Sequence, residues 1–206
     1  MKVIENWSEV EAKGMEDFNF KTLPIGAYEC VIKDARIHTN KENGKETLKV
    51  SVDIASGEYK DYFQKRYDNN NNSDKKWDNN AVKYLSFQGE NVSYFKGFIT
   101  CVINSNVGYK WNWDETSLKN KKICGIFQYE EYQKLDGSKA VKVRLSKFRS
   151  LDKMKESQEN LSDSVRLLNG SYMPIDDYNE IKEEKSNSSS FKEFTDLVEI
   201  TDNLLD

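Results

Sequence analysis

The sequence predicts a mainly β domain, a five-stranded Greek-key barrel with one helix between the third and fourth strands, followed by a C-terminal extension and an acidic tail. Three observations lead to this fold class. Several short segments alternate apolar and polar residues with a period of two, as half-buried strands do. The pairs Asn43-Gly44 and Asp136-Gly137 are typical hairpin turns. Residues 92–106 instead repeat their apolar residues with the helical period.

The first three strands follow one another with short connections. The segment 23–39 alternates apolar residues and slips by one position before Ala35. The segment 47–57 alternates too, and one face carries its aliphatic residues, Leu48, Val50, Val52 and Ile54. The segment 57–68, GEYKDYFQKRYD, mixes charged and aromatic residues and is predicted as the third strand.

A helix and a second hairpin complete the predicted barrel. An Asn-rich loop at 68–73 and a helical or irregular connection at 75–88 lead to the helix at 92–106. The fourth and fifth strands run from Ile123 to Tyr132 and through Val141, Val143 and Leu145. Three strands, a helix and two strands, in this order, are typical of a small barrel of the OB type. A β-sandwich is the main alternative.

The predicted domains differ in charge. An N-terminal arm at 1–20 precedes the barrel at 21–150, which has 23 Lys and Arg against 16 Asp and Glu, a net charge of +7. A helical or irregular extension follows at 151–185, and a flexible acidic tail at 186–206. Residues 176–206 have 3 basic and 10 acidic residues, a net charge of -7. A basic body and an acidic tail suggest different partners.

The composition narrows the class of protein. The hydrophobic content of 37% is low and the aromatic content of 12% is high, so rings must supply much of the core. The three cysteines are widely spaced, which favours reduced thiols. No apolar run is long enough for a membrane span, and residues 1–10 lack the apolar run of a signal peptide. These features predict a cytoplasmic protein with no membrane partner.

Catalytic chemistry finds little support in the sequence. His38 is the only histidine and lies near a strand end, and the chain has no nucleophile elbow, phosphate loop or metal-ligand spacing. The adjacent carboxylates at 114–115 and 130–131 are more typical of solvated edges than of a divalent-metal site. The sequence therefore predicts no enzyme, no cofactor and no metal.

Rings and cations are interleaved in a way that favours nucleic-acid binding. Single strands are held by rings that stack on bases, each worth about 1–3 kcal/mol, and by cations that contact phosphates. Each ring could instead belong to the core, so the prediction rests on the clustering. The candidate binding residues are Tyr59, Lys60, Tyr62, Phe63, Lys65, Arg66, Trp77, Tyr109, Trp111, Arg144 and Lys147.

The stretch SNVGYKWNWDE, residues 105–115, raises the same choice between core and binding platform. If this stretch is extended, Tyr109, Trp111 and Trp113 point to one face. The thin aliphatic core makes one tryptophan a candidate barrel plug and leaves another for stacking.

Five segments together carry a family resemblance. They are LPIGAYECVIKDA, the turn before LKVSVDI, GEYKDYF, KGFITCVINSNVGYKWNWDE and KKICGIFQYEEYQKLDG, which span roughly residues 18–150. Their order and the string SN-x-GY-x-W-x-W resemble single-stranded-DNA-binding proteins of bacteriophages that infect low-GC Gram-positive bacteria. The resemblance implies an OB-type barrel that coats single-stranded DNA in phage DNA replication or recombination, inside the infected bacterial cell.

The arrangement of barrel, polar linker and acidic terminus is similar to that of bacterial single-stranded-DNA-binding proteins. In those proteins the acidic terminus recruits replication proteins. Those proteins end in acidic residues and Pro-Phe, whereas this sequence ends in DNLLD. We expect the tail to bind replication or recombination proteins of the phage, or to fold back on the basic face. The candidate partner-binding residues are Phe191, Phe194, Leu204, Leu205 and Asp206.

Other readings of the sequence stay open at this point. The protein could be an interaction adaptor that acts through its tail, with the aromatics as barrel core. It could also be a metal-dependent nuclease that uses its scattered carboxylates. Exposed edge strands would allow copies to pair into a homo-oligomer. The residues do not distinguish DNA from RNA.

Overall fold

The structure is a computed structural model that describes residues 21–183. These residues form one seven-stranded sheet with helices packed against it. The strands are β1 (Gly26–Thr39), β2 (Glu46–Ile54), β3 (Val82–Leu85), β4 (Lys122–Gln133), β5 (Lys139–Arg149), β6 (Ser164–Arg166) and β7 (Tyr172–Pro174). The helices are α1 (Tyr62–Asp68), α2 (Val92–Ser105), α3 (Met154–Glu159) and α4, residues 175–183.

The sheet has the strand order β3-β2-β1-β4-β6-β7, and β5 pairs with β4. All pairs are antiparallel except β4 with β6. No ladder joins β3 to β5 within the described part of the chain, so the sheet is open. The β-rich class is confirmed. The closed five-stranded barrel is corrected, because the extension adds β6 and β7 and the seam beside β3 is not hydrogen-bonded.

The first hairpin and its irregularity agree with the prediction. β1 is 14 residues long, and its register with β2 shifts between Ile32 and Asp34. This bulge is the one-position slip that the sequence shows before Ala35. Because a bulge bends the strand, β1 pairs with β4 through its first half and with β2 through its second half.

The predicted third strand at 57–68 is wrong. Residues 57–61 form turns, and α1 begins at Tyr62. The buried Asp53 carboxylate accepts hydrogen bonds from the Phe63 and Gln64 backbone N–H groups at 2.9 and 3.2 Å, which satisfies the free donors of the first helical turn. The third strand is instead Val82–Leu85, which lies in the stretch predicted as helix or irregular connection.

The helix predicted between the third and fourth strands is present as α2. Phe98, Ile99 and Val102 are buried along one face of α2, as the helical spacing predicts. Phe98 packs on Phe148 of β5 with ring centroids 5.0 Å apart. The aliphatic residues of β1 and β2 pack behind these rings in the same core.

The segment after β5 contains two short strands as well as the predicted helical structure. Its anchor is the buried carboxylate of Glu131 on β4. Glu131 accepts hydrogen bonds from the Leu168 backbone N–H at 3.0 Å and the Tyr178 hydroxyl at 3.3 Å, and Lys139 lies 3.4 Å away. Burial raises the pKa of Glu131, but these donors outweigh it and hold the pKa below its ordinary value.

None of the helices between residues 21 and 183 combines the length and apolar character needed to cross a bilayer. The predicted N-terminal arm and the acidic tail lie outside the described residues.

Candidate nucleic-acid interface

Four of the predicted binding residues meet in a small cavity beside α1. The cavity has a volume of about 150 Å³. Its lining residues, which define the tyrosine cavity, are Lys21, Glu58, Tyr59, Lys60, Tyr62 and Lys65. The Tyr59 and Tyr62 rings are half-buried and meet edge to face with centroids 6.2 Å apart. Two fixed rings therefore lie among three lysines and one carboxylate.

A third tyrosine holds the tyrosine cavity in shape. The Tyr28 ring packs edge to face on Tyr59 at 6.1 Å and on Phe127 at 5.8 Å. Its hydroxyl donates to the Pro24 carbonyl at 3.0 Å, and burial raises the pKa of Tyr28 to about 12. The Tyr62 hydroxyl accepts from the Leu23 backbone N–H at 3.2 Å. The rings are thus oriented by packing and hydrogen bonds rather than by a ligand.

Phe63 is a correction to the predicted site. Only 2% of Phe63 is exposed, and its ring stacks on Phe127 with centroids 5.7 Å apart. Tyr59 lies in the turn before α1, whereas Tyr62 and Phe63 are the first two residues of α1, and Phe63 is the buried residue of this helix. Phe63 therefore belongs to the core and cannot stack on a base.

Beyond the tyrosine cavity, rings and cations continue along α1 and the loop that follows. The Arg66 guanidinium lies 5.7 Å from the Tyr62 ring centroid, and Lys75 lies 4.9 Å from that of Tyr67. Tyr67 and Trp77 are neighbours with centroids 5.8 Å apart. Each of the half-buried rings Tyr62, Tyr67 and Trp77 therefore has a cation or another ring as a neighbour.

Trp77 has both a structural and an exposed side. Its indole N–H donates to the Val52 carbonyl at 3.1 Å, at the edge of β2 just beyond the end of the β3 ladder. The other side of the ring faces Lys33, whose ammonium lies 5.9 Å from the ring centroid. The tryptophan is fixed to the sheet edge and keeps part of its surface accessible.

The backbone connects this region to Tyr109. Ile32 of β1 exchanges hydrogen bonds with the stretch at 120–121, since its N–H donates to the Lys121 carbonyl at 2.9 Å and its carbonyl accepts from Asn120 at 2.8 Å. Lys121 in turn lies 4.8 Å from the Tyr109 ring centroid. Lys33, next to Ile32, and Lys121 therefore lie on two backbone segments that are hydrogen-bonded to each other. The ring–cation track consists of Tyr59, Tyr62, Arg66, Tyr67, Lys75, Trp77, Lys33, Lys121 and Tyr109.

Sequence reasoning missed a further ring–cation group on β1, β2 and β3. Tyr84 is exposed on β3, Lys49 lies 5.8 Å from its ring centroid, and the His38 ring packs on it at 5.2 Å. Arg36 pairs in register with Lys49. The outward positions of the first hairpin, combined with the exposed face of a correctly placed third strand, would have indicated this group.

The two tryptophans of the loop after α2 differ in exposure. Trp111 packs on Phe95 with centroids 6.4 Å apart, and its indole nitrogen is buried without a hydrogen-bond partner among the described residues. Trp113 is 80% exposed and has a positive φ of 64°. Of the expected row, Trp111 and Trp113 are in contact with ring centroids 6.2 Å apart, but Trp111 packs on the core and Trp113, which the predicted site omits, is the accessible ring.

Arg144 and Lys147 lie on β5, separate from the ring–cation track. The register between β4 and β5 shifts at Phe127, so Arg144 and Lys147 share the outward face although they are three residues apart. Strict alternation would have grouped Phe148 with Arg144, but Phe148 is buried. Arg144 is bound to Glu130 at 3.1 Å, whereas Lys147 and Arg149 line an open cavity under α3.

Lys83 of β3 adds another cation near Arg144. Burial lowers the pKa of Lys83, and Arg166 and Arg144 lower it further, while Glu130 raises it. Lys83 and Arg144 stand on β3 and β5, which lie side by side without a ladder and define the seam, and Glu130 and Arg166 are near enough to act on Lys83. The seam is consequently basic, with one carboxylate among three cations.

The remaining predictions concern metal ligands, the cysteines and the acidic tail. No cluster of three His, Cys, Asp or Glu suited to a metal occurs between residues 21 and 183. Cys30, Cys101 and Cys124 are free thiols. The predicted partner-binding residues Phe191, Phe194, Leu204, Leu205 and Asp206 lie outside the described range.

Comparison with known proteins gives no function. The model of a family described as "Protein of unknown function (DUF669)" matches residues 8–95, which is less than half of the chain. The matched stretch contains β1, β2, α1 and β3 and ends in the first turn of α2. No curated protein matches the chain significantly.

Proposed function

We propose that this protein binds single-stranded DNA independently of sequence along the ring–cation track. The observation that carries this proposal is the pairing of half-buried rings with cations: Tyr62 with Arg66, Tyr67 with Lys75, Trp77 with Lys33 and Tyr109 with Lys121. Single-strand binding requires rings for the bases and cations for the phosphates at close spacing.

The energies favour replacement of the cations by bases. A cation over a ring at an exposed site contributes about 0.5–1 kcal/mol. A base stacked on the same ring contributes about 1–3 kcal/mol. An incoming base therefore displaces the lysine from Tyr67, Trp77 or Tyr109, and the flexible lysine is then free to contact the adjacent phosphate. Arg66 differs, because its guanidinium is already paired with Asp78 at 3.1 Å.

The chemistry of the track explains why binding is independent of sequence. Every base has a face that can stack, so a ring accepts all four bases. Cations contact phosphates, which carry no sequence information. All members of the track are rings or cations, so binding along the track requires no hydrogen bonds to base edges.

The strand topology supports a partly open barrel of the OB type. The order along the chain is β1, β2, β3, α2, β4 and β5, and β1 pairs antiparallel with both β2 and β4. β3 lies beside β5 without a ladder, where closure would occur. We place this barrel, with its family resemblance, in phage DNA replication or recombination.

Tryptophan fluorescence tests the proposal. Full-length protein is titrated with oligo-dT at about 20 mM and about 300 mM salt, since phosphate contacts weaken steeply with salt. We expect saturable quenching at low salt that reverses at high salt, and loss of most of the quenching in Trp77→Phe. Absence of quenching together with unchanged DNA mobility in a gel would overturn the proposal and favour the adaptor function.

Charge variants locate the phosphate contacts. The double variant Lys33→Gln, Lys121→Gln removes two track cations, and Lys96→Gln, Lys182→Gln removes two exposed lysines outside the track. The track variant should lower the slope of log affinity against log salt by about 0.7 for each phosphate that is no longer neutralised. The control variant should keep the wild-type slope. Equal slopes for both variants would contradict binding along the track.

A further inference from the structure

A second cationic cavity lies between the outward face of β4–β5 and α3. Its volume is about 290 Å³. The polar side chains that line it, which define the ring-free cavity, are Gln128, Lys147, Arg149, Lys153, Glu156, Ser157 and Asn160. Ile126 and Leu161 complete its apolar surface, and no aromatic side chain lines it.

The local fold builds this cavity from both sides. On β5, Lys147 and Arg149 are two residues apart and therefore share one face, about 7 Å apart along the strand. On the other side, the Gln158 side chain of α3 accepts from the Ala27 backbone N–H at 2.7 Å. The Leu151 backbone N–H donates to the Ser105 hydroxyl at 3.0 Å. These bonds attach α3 to β1 and the residues just before α3 to α2, and so fix α3 beside the β4–β5 residues that line the cavity.

The charges in the cavity are unbalanced. Lys153 forms an ion pair with Glu156 at 3.1 Å, which leaves the charges of Lys147 and Arg149. Neither of these two has a carboxylate within 4.0 Å among residues 21–183. An anion between them would gain two charge-assisted hydrogen bonds, and an arginine can bind a phosphate with two parallel hydrogen bonds.

The lining indicates which part of a nucleic acid fits. Neutral donors from Gln128, Ser157 and Asn160 suit phosphate oxygens, and no ring is present for a base to stack on. A volume of about 290 Å³ is at the lower end of small-molecule pockets, which suits a single phosphate with its sugar. Phosphates are accessible in single strands and in duplexes alike.

We propose that the ring-free cavity is a second nucleic-acid site, which binds backbone phosphate without contacting bases and accepts duplex as well as single-stranded DNA. The nucleic acid as ligand rests on the proposed function, whereas the site and its selectivity rest on the cavity. A protein with both sites holds a single strand on the track and a duplex segment at β5. It therefore favours junctions between single-stranded and duplex DNA.

Binding to DNA without accessible bases tests this inference. The probes are a fluorescent abasic strand of about 12 units and a duplex of about 12 base pairs, within the range of site sizes for one domain. The full-length protein, the Lys147→Gln, Arg149→Gln double variant and the Lys155→Gln, Lys96→Gln control are compared by anisotropy at low salt. Lys155 lies on α3 with 90% of its side chain exposed and does not line the cavity, so both variants lose the same charge.

We expect the cavity variant to bind both probes at least about ten-fold more weakly than wild type, and the control to change less than about two-fold. Both exchanged residues are exposed on β5, and unchanged thermal unfolding would show that the fold is intact. Equal affinity of the two variants for the abasic strand would overturn the inference.

The outcomes separate the two proposals. If wild type binds oligo-dT with tryptophan quenching but binds neither probe, the ring-free cavity is not a nucleic-acid site and the proposed function stands. If the probes bind through Lys147 and Arg149 while oligo-dT gives no quenching, the second site stands and stacking on the track is wrong. Binding of none of the three overturns both.

Discussion

The tyrosine cavity and the ring-free cavity contain the same number of basic side chains but differ in what surrounds them. In the tyrosine cavity, Lys21, Lys60 and Lys65 border two rings. In the ring-free cavity, Lys147, Arg149 and Lys153 border amides, a hydroxyl and the Glu156 carboxylate. Because cations bind any phosphate and rings bind only accessible bases, the rings determine which cavity can distinguish a single strand from a duplex.

The two cavities also depend on different parts of the chain. The tyrosine cavity is built on α1 and the turn before it, which Phe63 and Asp53 attach to the core. The ring-free cavity needs α3, which belongs to the segment after β5 and is followed by the strands that Glu131 anchors. Each cavity can therefore be lost without the other, which allows the comparison to be tested from both sides.

The largest effect is expected from Phe63→Ala. Removing a buried phenylalanine costs about 3–5 kcal/mol of the free energy of unfolding, and here it also removes the anchor of α1. Urea unfolding measures the loss, and Tyr59→Ala serves as control because the Tyr59 ring is half-buried. If Phe63→Ala were no less stable than Tyr59→Ala, the placement of Phe63 in the core would be wrong.

Glu131→Ala is expected to release the segment after β5. It removes a buried acceptor and leaves the Leu168 N–H and the Tyr178 hydroxyl without it, at a cost of about 2–3 kcal/mol in docking of this segment. A protease should then cut the variant between α3 and α4 at protease concentrations that leave the wild type intact. Glu156→Ala, an exposed carboxylate on α3, should leave the cleavage rate unchanged.

The same carboxylate predicts a pH dependence of docking. The folded pKa of Glu131 is lowered, so its stabilisation is fully present above the unfolded pKa of about 4.3 and is lost as pH falls through the folded pKa. Hydrogen exchange at Leu168 should therefore accelerate below about pH 4 beyond the intrinsic pH effect. Glu131→Gln should abolish this extra acceleration, and its persistence in that variant would assign it to another group.

Tyr59→Ala is expected to affect single strands alone. The loss of one stacked base should weaken oligo-dT binding by about 1–3 kcal/mol, roughly five-fold to 150-fold, and leave duplex binding unchanged. Fluorescence anisotropy with both ligands measures the difference. Tyr172→Ala, an exposed tyrosine on β7 outside the track, is the matched control. A parallel loss for oligo-dT and duplex would mean that the ring does not discriminate between them.

Sequence periodicity predicted those elements whose pattern is long enough to read. The alternation in β1 and β2 and the helical spacing in α2 each extend over nine residues or more, and all three elements were found. β3 has four residues, and β6 and β7 have three each, which is too few for an alternating pattern to be recognised in the sequence. The third strand was predicted at 57–68, where charged and aromatic residues are mixed, but these residues form a turn and α1.

The candidate site was predictable in composition but not in arrangement. The sequence identified Tyr59, Lys60, Tyr62 and Lys65, and the structure brings them together because α1 follows a turn rather than a strand. Arg149 was one of the cations seen on the last predicted strand but was not among the candidate binding residues, although it lies two residues after Lys147 and lines the same cavity. Lys147 and Arg144 were grouped because both are cations of the same predicted strand. Only the structure of the neighbouring strand β4 shows that Glu130 forms an ion pair with Arg144 and not with Lys147.

That difference predicts the smallest effect, in Arg144→Gln. Arg144 and Lys147 lie on the same outward face of β5, but the Arg144 guanidinium is already bound to Glu130 at 3.1 Å. A phosphate would have to replace this carboxylate, so little affinity is gained. We expect Arg144→Gln to change duplex binding by less than about two-fold, while Arg149→Gln weakens it about five-fold or more.

Glu130→Gln frees the guanidinium and should strengthen duplex binding, an increase that Arg144→Gln would cancel in the double variant. Stronger dependence on Arg144 than on Arg149 would move the phosphate site from the ring-free cavity to the basic seam beside Lys83.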